Sequence, residues 1–79
     1  MIPLYGFLQG DSMGLLILAD PQDSMARLIE KTQAAATMRV APREGLVVVV
    51  AGRPTDPDLT VAAAGLTALD KFEVVAPRA

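Results

Sequence analysis

Apolar residues along this 79-residue chain fall into runs, and the period of those runs changes twice. Ile2-Pro3-Leu4-Tyr5-Gly6-Phe7-Leu8 is one continuous run and Met13-Gly14-Leu15-Leu16-Ile17-Leu18-Ala19 is a second. Between them, Gln9-Gly10-Asp11-Ser12 reads as a turn, because Gly10 takes positive φ freely and Asp11 tolerates it. Two apolar runs joined by a short glycine turn predict an antiparallel hairpin. Asp20-Pro21-Gln22-Asp23-Ser24 then breaks the strand. Ser24 is a good N-cap, and Asp23 adds negative charge at a helix N-terminus. From Met25 the period is helical. Met25, Leu28, Ile29, Thr32, Ala35 and Ala36 fall on one face, with Arg27, Glu30, Lys31 and Gln33 elsewhere, and the helix should end near Thr37.

After the helix, Val40-Ala41-Pro42-Arg43-Glu44-Gly45 is a turn-rich link. Leu46 to Ala51 is β-branched and too short for a free-standing helix, so it predicts a third strand. Gly52 to Asp58 is a loop with room for a short fourth strand near Arg53 to Thr55. Leu59 to Leu66 predicts a short helical turn, capped by Thr60 and stopped by Gly65. Lys71 to Val75 is the last strand, ended by Pro77. The fold class is therefore α+β: a mixed sheet of four to five strands with one main helix on one face. The last strand is expected between the first and third, since that order lets one helix cover the core face. No linker or repeat divides the chain, so residues 1–79 read as a single domain.

A sheet covered on one side should alternate apolar-in and polar-out. The last strand does so partly: Phe72 and Val74 point one way, Lys71 and Glu73 the other, with Val75 on the polar side. The second and third strands do not alternate. If Leu15, Ile17 and Ala19 face the helix, Leu16 and Leu18 face out; if Leu46, Val48 and Val50 face in, Val47 and Val49 face out. Leu16, Leu18, Val47, Val49 and Val75 thus form a candidate partner-binding face, since a contiguous exposed apolar patch marks a contact surface. The ordinary alternative is that some of them sit at sheet edges or under a loop. Arg43 and Glu44, in the most polar link, read either as a solvated loop or as a polar rim to that face, because arginine is favoured at interfaces.

Composition narrows the chemistry. Seven bases and nine acids give 7 − 9 = −2, which argues against a nucleic-acid partner. The longest apolar run is too short to span a bilayer. Met1-Ile2-Pro3-Leu4 carries no basic n-region, so a cytoplasmic protein is expected. There is no Cys and no His, which removes thiolate and imidazole ligands and the usual activating bases. Ser12 and Ser24 are explained as turn and cap residues, and Asp56 and Asp58 as loop residues around Pro57 without the further oxygens calcium needs. No phosphate-binding glycine loop is present. No catalytic, cofactor or metal residue is assigned.

Two resemblances follow from particular stretches. Leu46 to Leu66, with its Ala51-Gly52 turn, resembles the third strand of ubiquitin and the loop after it, and Asp20 to Ser24 resembles the cap before the ubiquitin helix. This implies a ubiquitin-like β-grasp fold. Asp23-Ser24-Met25, Arg39 to Gly45, Leu59 to Leu66 and Phe72 to Val75 resemble the small ubiquitin-like subunit of toluene and related aromatic monooxygenase hydroxylases, with Val40-Ala41-Pro42-Arg43-Glu44-Gly45 the most specific element. That resemblance implies a non-catalytic subunit packed against larger hydroxylase subunits, with the carboxylate-bridged di-iron site in the partner and no cofactor in this chain.

Two rival functions stay open. A free-standing ubiquitin-like adaptor fits the same fold. A ubiquitin-like modifier or sulfur carrier would need a thin Gly-Gly tail, whereas this sequence reads Val75-Ala76-Pro77-Arg78-Ala79, and Pro77 restricts Ala76. If the apolar outer face binds a partner, Val49→Asp should reduce capture in a pull-down. A chain that sediments as a soluble monomer and binds unchanged would count against the idea.

Overall fold

The computed structural model describes residues 1–77; the expectations for Arg78 and Ala79 lie outside them. The element order is β1 (Ile2–Leu8), β2 (Gly14–Ala19), α1 (Met25–Ala36), β3 (Val47–Val50), β4 (Arg53–Pro54) and β5 (Lys71–Val75). These strands form one five-stranded sheet in the order β2-β1-β5-β3-β4. β1 pairs antiparallel with β2 and parallel with β5, and β5 pairs antiparallel with β3. The last strand therefore lies between the first and third, and the sheet is mixed as expected.

Each element has a local cause. The Ser24 hydroxyl accepts from the Arg27 amide at 3.1 Å, which is the N-cap bond the sequence suggested. The loop before β5 supplies two more acceptors, with Met25 N donating to Leu59 O at 2.8 Å and Ala26 N to Pro57 O at 3.0 Å. Amides at a helix start have no partner within the helix, so these bonds are what allow α1 to begin against the protein rather than in water. Ser24 also bridges to Thr60, and Val61 N donates to Asp23 O, so the loop is zipped along the segment that leads into the helix.

The core lies between α1 and the inner face of the sheet. It is built from Leu4, Leu8, Ile17, Ala19, Met25, Leu28, Val48, Phe72 and Val74, with Val61 and Leu66 closing it from the loop. Thr32 is the buried polar residue on the helix, and its hydroxyl donates to Leu28 O at 2.7 Å, so nothing polar is stranded. β1 alternates more sharply than its all-apolar sequence implies: Leu4, Gly6 and Leu8 are buried, Tyr5 and Phe7 exposed. Gly6 is required here by close approach. A Cβ at this position would lie 2.7 Å from Phe72 Cζ and 3.3 Å from Ile17 Cγ1.

Three expectations change. β2 starts at Gly14 rather than Met13, and β3 is the shorter Val47–Val50 because Ala51 and Gly52 both take positive φ in the tight turn to β4. Leu59 to Leu66 holds the single helical turn expected: Ala64 N donates to Thr60 O at 2.9 Å and Gly65 ends the turn at positive φ, while the amides of Val61 and Ala62 go to Asp23 O and Pro21 O. Thr60 does cap locally, with its hydroxyl accepting from Ala63 N at 3.1 Å. Ala35, expected on the apolar face, is exposed, while Ala36 carries the buried stripe to the last residue of the helix. Asp56 accepts from Asp58 N at 2.8 Å, a turn role.

Gly6→Ala should lower stability by about 1–3 kcal/mol, because the fully buried Phe72 ring has nowhere to go. Chemical denaturation compared with the parent chain checks this, and an unchanged midpoint would mean the ring can yield.

Candidate functional site

The sheet's outer face carries no helix. Its residues come from alternate positions of every strand, and the register places them side by side. Tyr5 stands between Leu16 on β2 and Lys71 on β5; Phe7 stands between Gly14 and Glu73; Pro3 lies across from Leu18. On the far side of β5, Val49 lies across from Glu73 and Val47 across from Val75. The face thus has an apolar wing on β1 and β2, a charged stripe of Lys71 and Glu73, and a smaller apolar wing on β3 with Val75.

Exposure is unequal between the wings. Leu16 is 60% and Leu18 53% exposed, while Tyr5 and Phe7 are each 43% exposed. Val47, Val49 and Val75 are half-buried. The five residues picked from sequence do face outward together, but the two groups do not touch in register, because β1 and β5 separate them. Pro3, Tyr5 and Phe7 join the groups and were missed. The signal was available in the alternation of Leu4, Gly6 and Leu8 against Tyr5 and Phe7, but glycine among apolar neighbours hides the period. Phe7 is held over β2: a Cβ on Gly14 would meet its ring at 2.9 Å, so the ring covers the space a side chain would take.

The polar link is used within the chain. The Arg39 guanidinium donates through Nε to Asp11 Oδ1 at 3.0 Å and through Nη2 to Asp11 Oδ2 at 2.9 Å, a forked pair that ties the helix end to the β1–β2 turn. Arg43 donates through Nη2 to Gln9 O at 3.1 Å, and the Gln33 amide bonds both its N–H and its carbonyl. Arg43 is therefore a positioned link residue as much as a rim residue. Glu44 is exposed, with no hydrogen bond or ion pair among the described residues. From the middle of α1, Lys31 Nζ meets Asp23 Oδ2, just before the helix, at 2.7 Å and Leu18 O at 3.0 Å, placing a lysine over the edge of β2.

These contacts shift acidities. The hydrogen bond from Arg39 holds the Asp11 carboxyl below the usual carboxylate range, and Asp11 in turn raises Arg39. Lys31 lowers Asp23, and the Thr67 backbone amide lowers Asp70. Among the described residues no group of three or more His, Cys, Asp or Glu side chains is placed to hold a metal.

The family is decided by comparison with known proteins. Residues 1–75 match the family model of toluene-4-monooxygenase system protein B. The chain belongs to this family. A chain in the solved toluene 4-monooxygenase HD complex with the inhibitor 4-bromobenzoate is 30% identical, with a TM-score of 0.86, covering 96% of this chain and 98% of that one. The ubiquitin of Caldiarchaeum subterraneum is 18% identical with a TM-score of 0.77, covering 99% of this chain and 95% of its own, which shows the ubiquitin-like fold. No significant match occurs among curated protein sequences. A protein B of this family is thus an accessory component of a toluene-4-monooxygenase type system built on the β-grasp fold.

Stability should fall on acidification. The folded-state pKa values of Asp11, Asp23 and Asp70 are lowered, so their contribution is fully present above the unfolded value near pH 4 and is lost as pH falls through the folded values. Urea midpoints at pH 7 and pH 3 should differ, and Asp11→Asn should flatten that dependence. Equal midpoints would show that the pairs contribute nothing.

Proposed function

We propose that this protein is a non-catalytic binding subunit of a multicomponent aromatic monooxygenase, packed against the larger hydroxylase subunits through the outer face of its sheet. Family membership and the likeness to a chain of a toluene 4-monooxygenase complex support the assembly. The single observation that supports the surface is the concentration of Tyr5, Phe7, Leu16 and Leu18 on one uncovered face. A soluble component has no reason to leave such a group wet unless another surface covers it.

The di-iron centre belongs, in this reading, to the larger subunit. This chain's residues do not fit one: it has no histidine, and among the described residues no three carboxylates are grouped to hold a metal. Aromatic hydroxylation would then be the partner's chemistry, and the contribution of this chain is to fold and to cover. A cytoplasmic setting accords with that role, and no helix among the described residues is long and apolar enough to cross a membrane.

The test separates binding from folding. Leu16 and Leu18 are more than half exposed, so Leu16→Thr combined with Leu18→Thr should change stability by less than about 1 kcal/mol. The same pair of changes should weaken co-purification with the larger hydroxylase subunits by tenfold or more, corresponding to about 1.4 kcal/mol of lost burial. Undiminished co-purification would place the interface elsewhere.

A further inference from the structure

We propose that the larger subunit seats an arginine on Glu73, between positions Phe7 and Val49 of the neighbouring strands. This rests on the docking reading above and goes further by naming the chemistry of the contact. Glu73 lies at the middle of the outer face: Phe7 is its neighbour across the parallel pair and Val49 its neighbour across the antiparallel one. Along β5 it is followed on the same face by Val75 and preceded by Lys71. Lys71 makes no ion pair with it, and among the described residues no other cation or hydrogen-bond donor reaches it.

A carboxylate framed by apolar side chains is harmless in water and costly under a partner, because covering it removes its hydration. A surface that buries Phe7 and Val49 must therefore answer Glu73 with a donor. Arginine answers best. Its planar fork matches a carboxylate and it gives up water more readily than lysine. There is also room for it. An open groove of about 720 Å³ runs beside Glu73, with Val49, Leu66 and Phe72 for the stem of such a side chain and with Asp70 as a second carboxylate to offset Lys71.

The test is co-purification and equilibrium binding of the full chain with the larger hydroxylase subunits. Glu73→Gln should weaken binding about tenfold and Glu73→Lys about a hundredfold or more, while Glu30→Lys on the exposed side of α1 should have no effect. Circular dichroism should show all three variants folded, since both side chains are exposed. Parent chain that binds together with a Glu73→Lys variant that binds equally well overturns this proposal and leaves the docking reading standing. Failure of the parent chain itself to bind overturns the docking reading and this contact with it. Sedimentation supplies the remaining arm: a dimer of the isolated chain that Glu73→Lys dissociates would make the occupant a second copy, its Lys71 answering Glu73, and would also overturn the proposal.

Discussion

The ring of Phe72 fills the space that a side chain on Gly6 would occupy, and this contact, in the central parallel pair of the sheet, decides which way the strands face. With Phe72 turned inward, alternation turns Val74 inward and Lys71 and Glu73 outward. With Gly6 beneath the ring, Leu4 and Leu8 go in and Tyr5 and Phe7 go out. The register then carries the choice to β2 and β3, whose sequences would permit either face. A shift by one residue would bury Lys71 and Glu73 and expose Phe72, so the hydrophobic penalty against it is large.

The second constraint is the loop that runs from Pro57 to Val61. It supplies acceptors for the first amides of α1 and covers one end of the core with Val61. It is held there by Val61 N on Asp23 O and by the next amide, Ala62 N, on Pro21 O. The one helical turn in Leu59 to Leu66 is legible from Thr60 and Gly65, but the bonds that dock it on Asp23 and Pro21 are not, because those partners are far away in sequence. The β-branched, apolar and glycine punctuation elsewhere was strong enough to place every strand within a residue or two.

The outer face was half legible. Runs such as Leu15 to Leu18 and Val47 to Val50 announce apolar residues on both sides of a sheet, so Leu16, Leu18, Val47 and Val49 could be named in advance. Tyr5 and Phe7 could not be separated from Leu4 and Leu8 without knowing that glycine stands in for a large inward residue at position 6. The roles of Arg39 and Arg43 were hidden for a different reason. Their partners, Asp11 and Gln9, are far away in sequence, and only the topology brings the helix end to the first turn.

Charge is distributed in a way that follows from these constraints. Asp23 with Lys31 fastens the middle of α1 to the segment before it, and Asp11 with Arg39 fastens the chain just past the helix to the first turn. Lys71 and Glu73 lie on the sheet face and fasten nothing within the described chain. A side chain that stabilises the fold is locked in place by its partner and is poorly placed to answer another molecule. One that is pinned to a rigid central strand, exposed and without a partner keeps its full electrostatic reach and loses little freedom on contact. The chain therefore separates its two tasks by face: the charges on and after the helix hold the fold, and those between the apolar wings remain available to a partner.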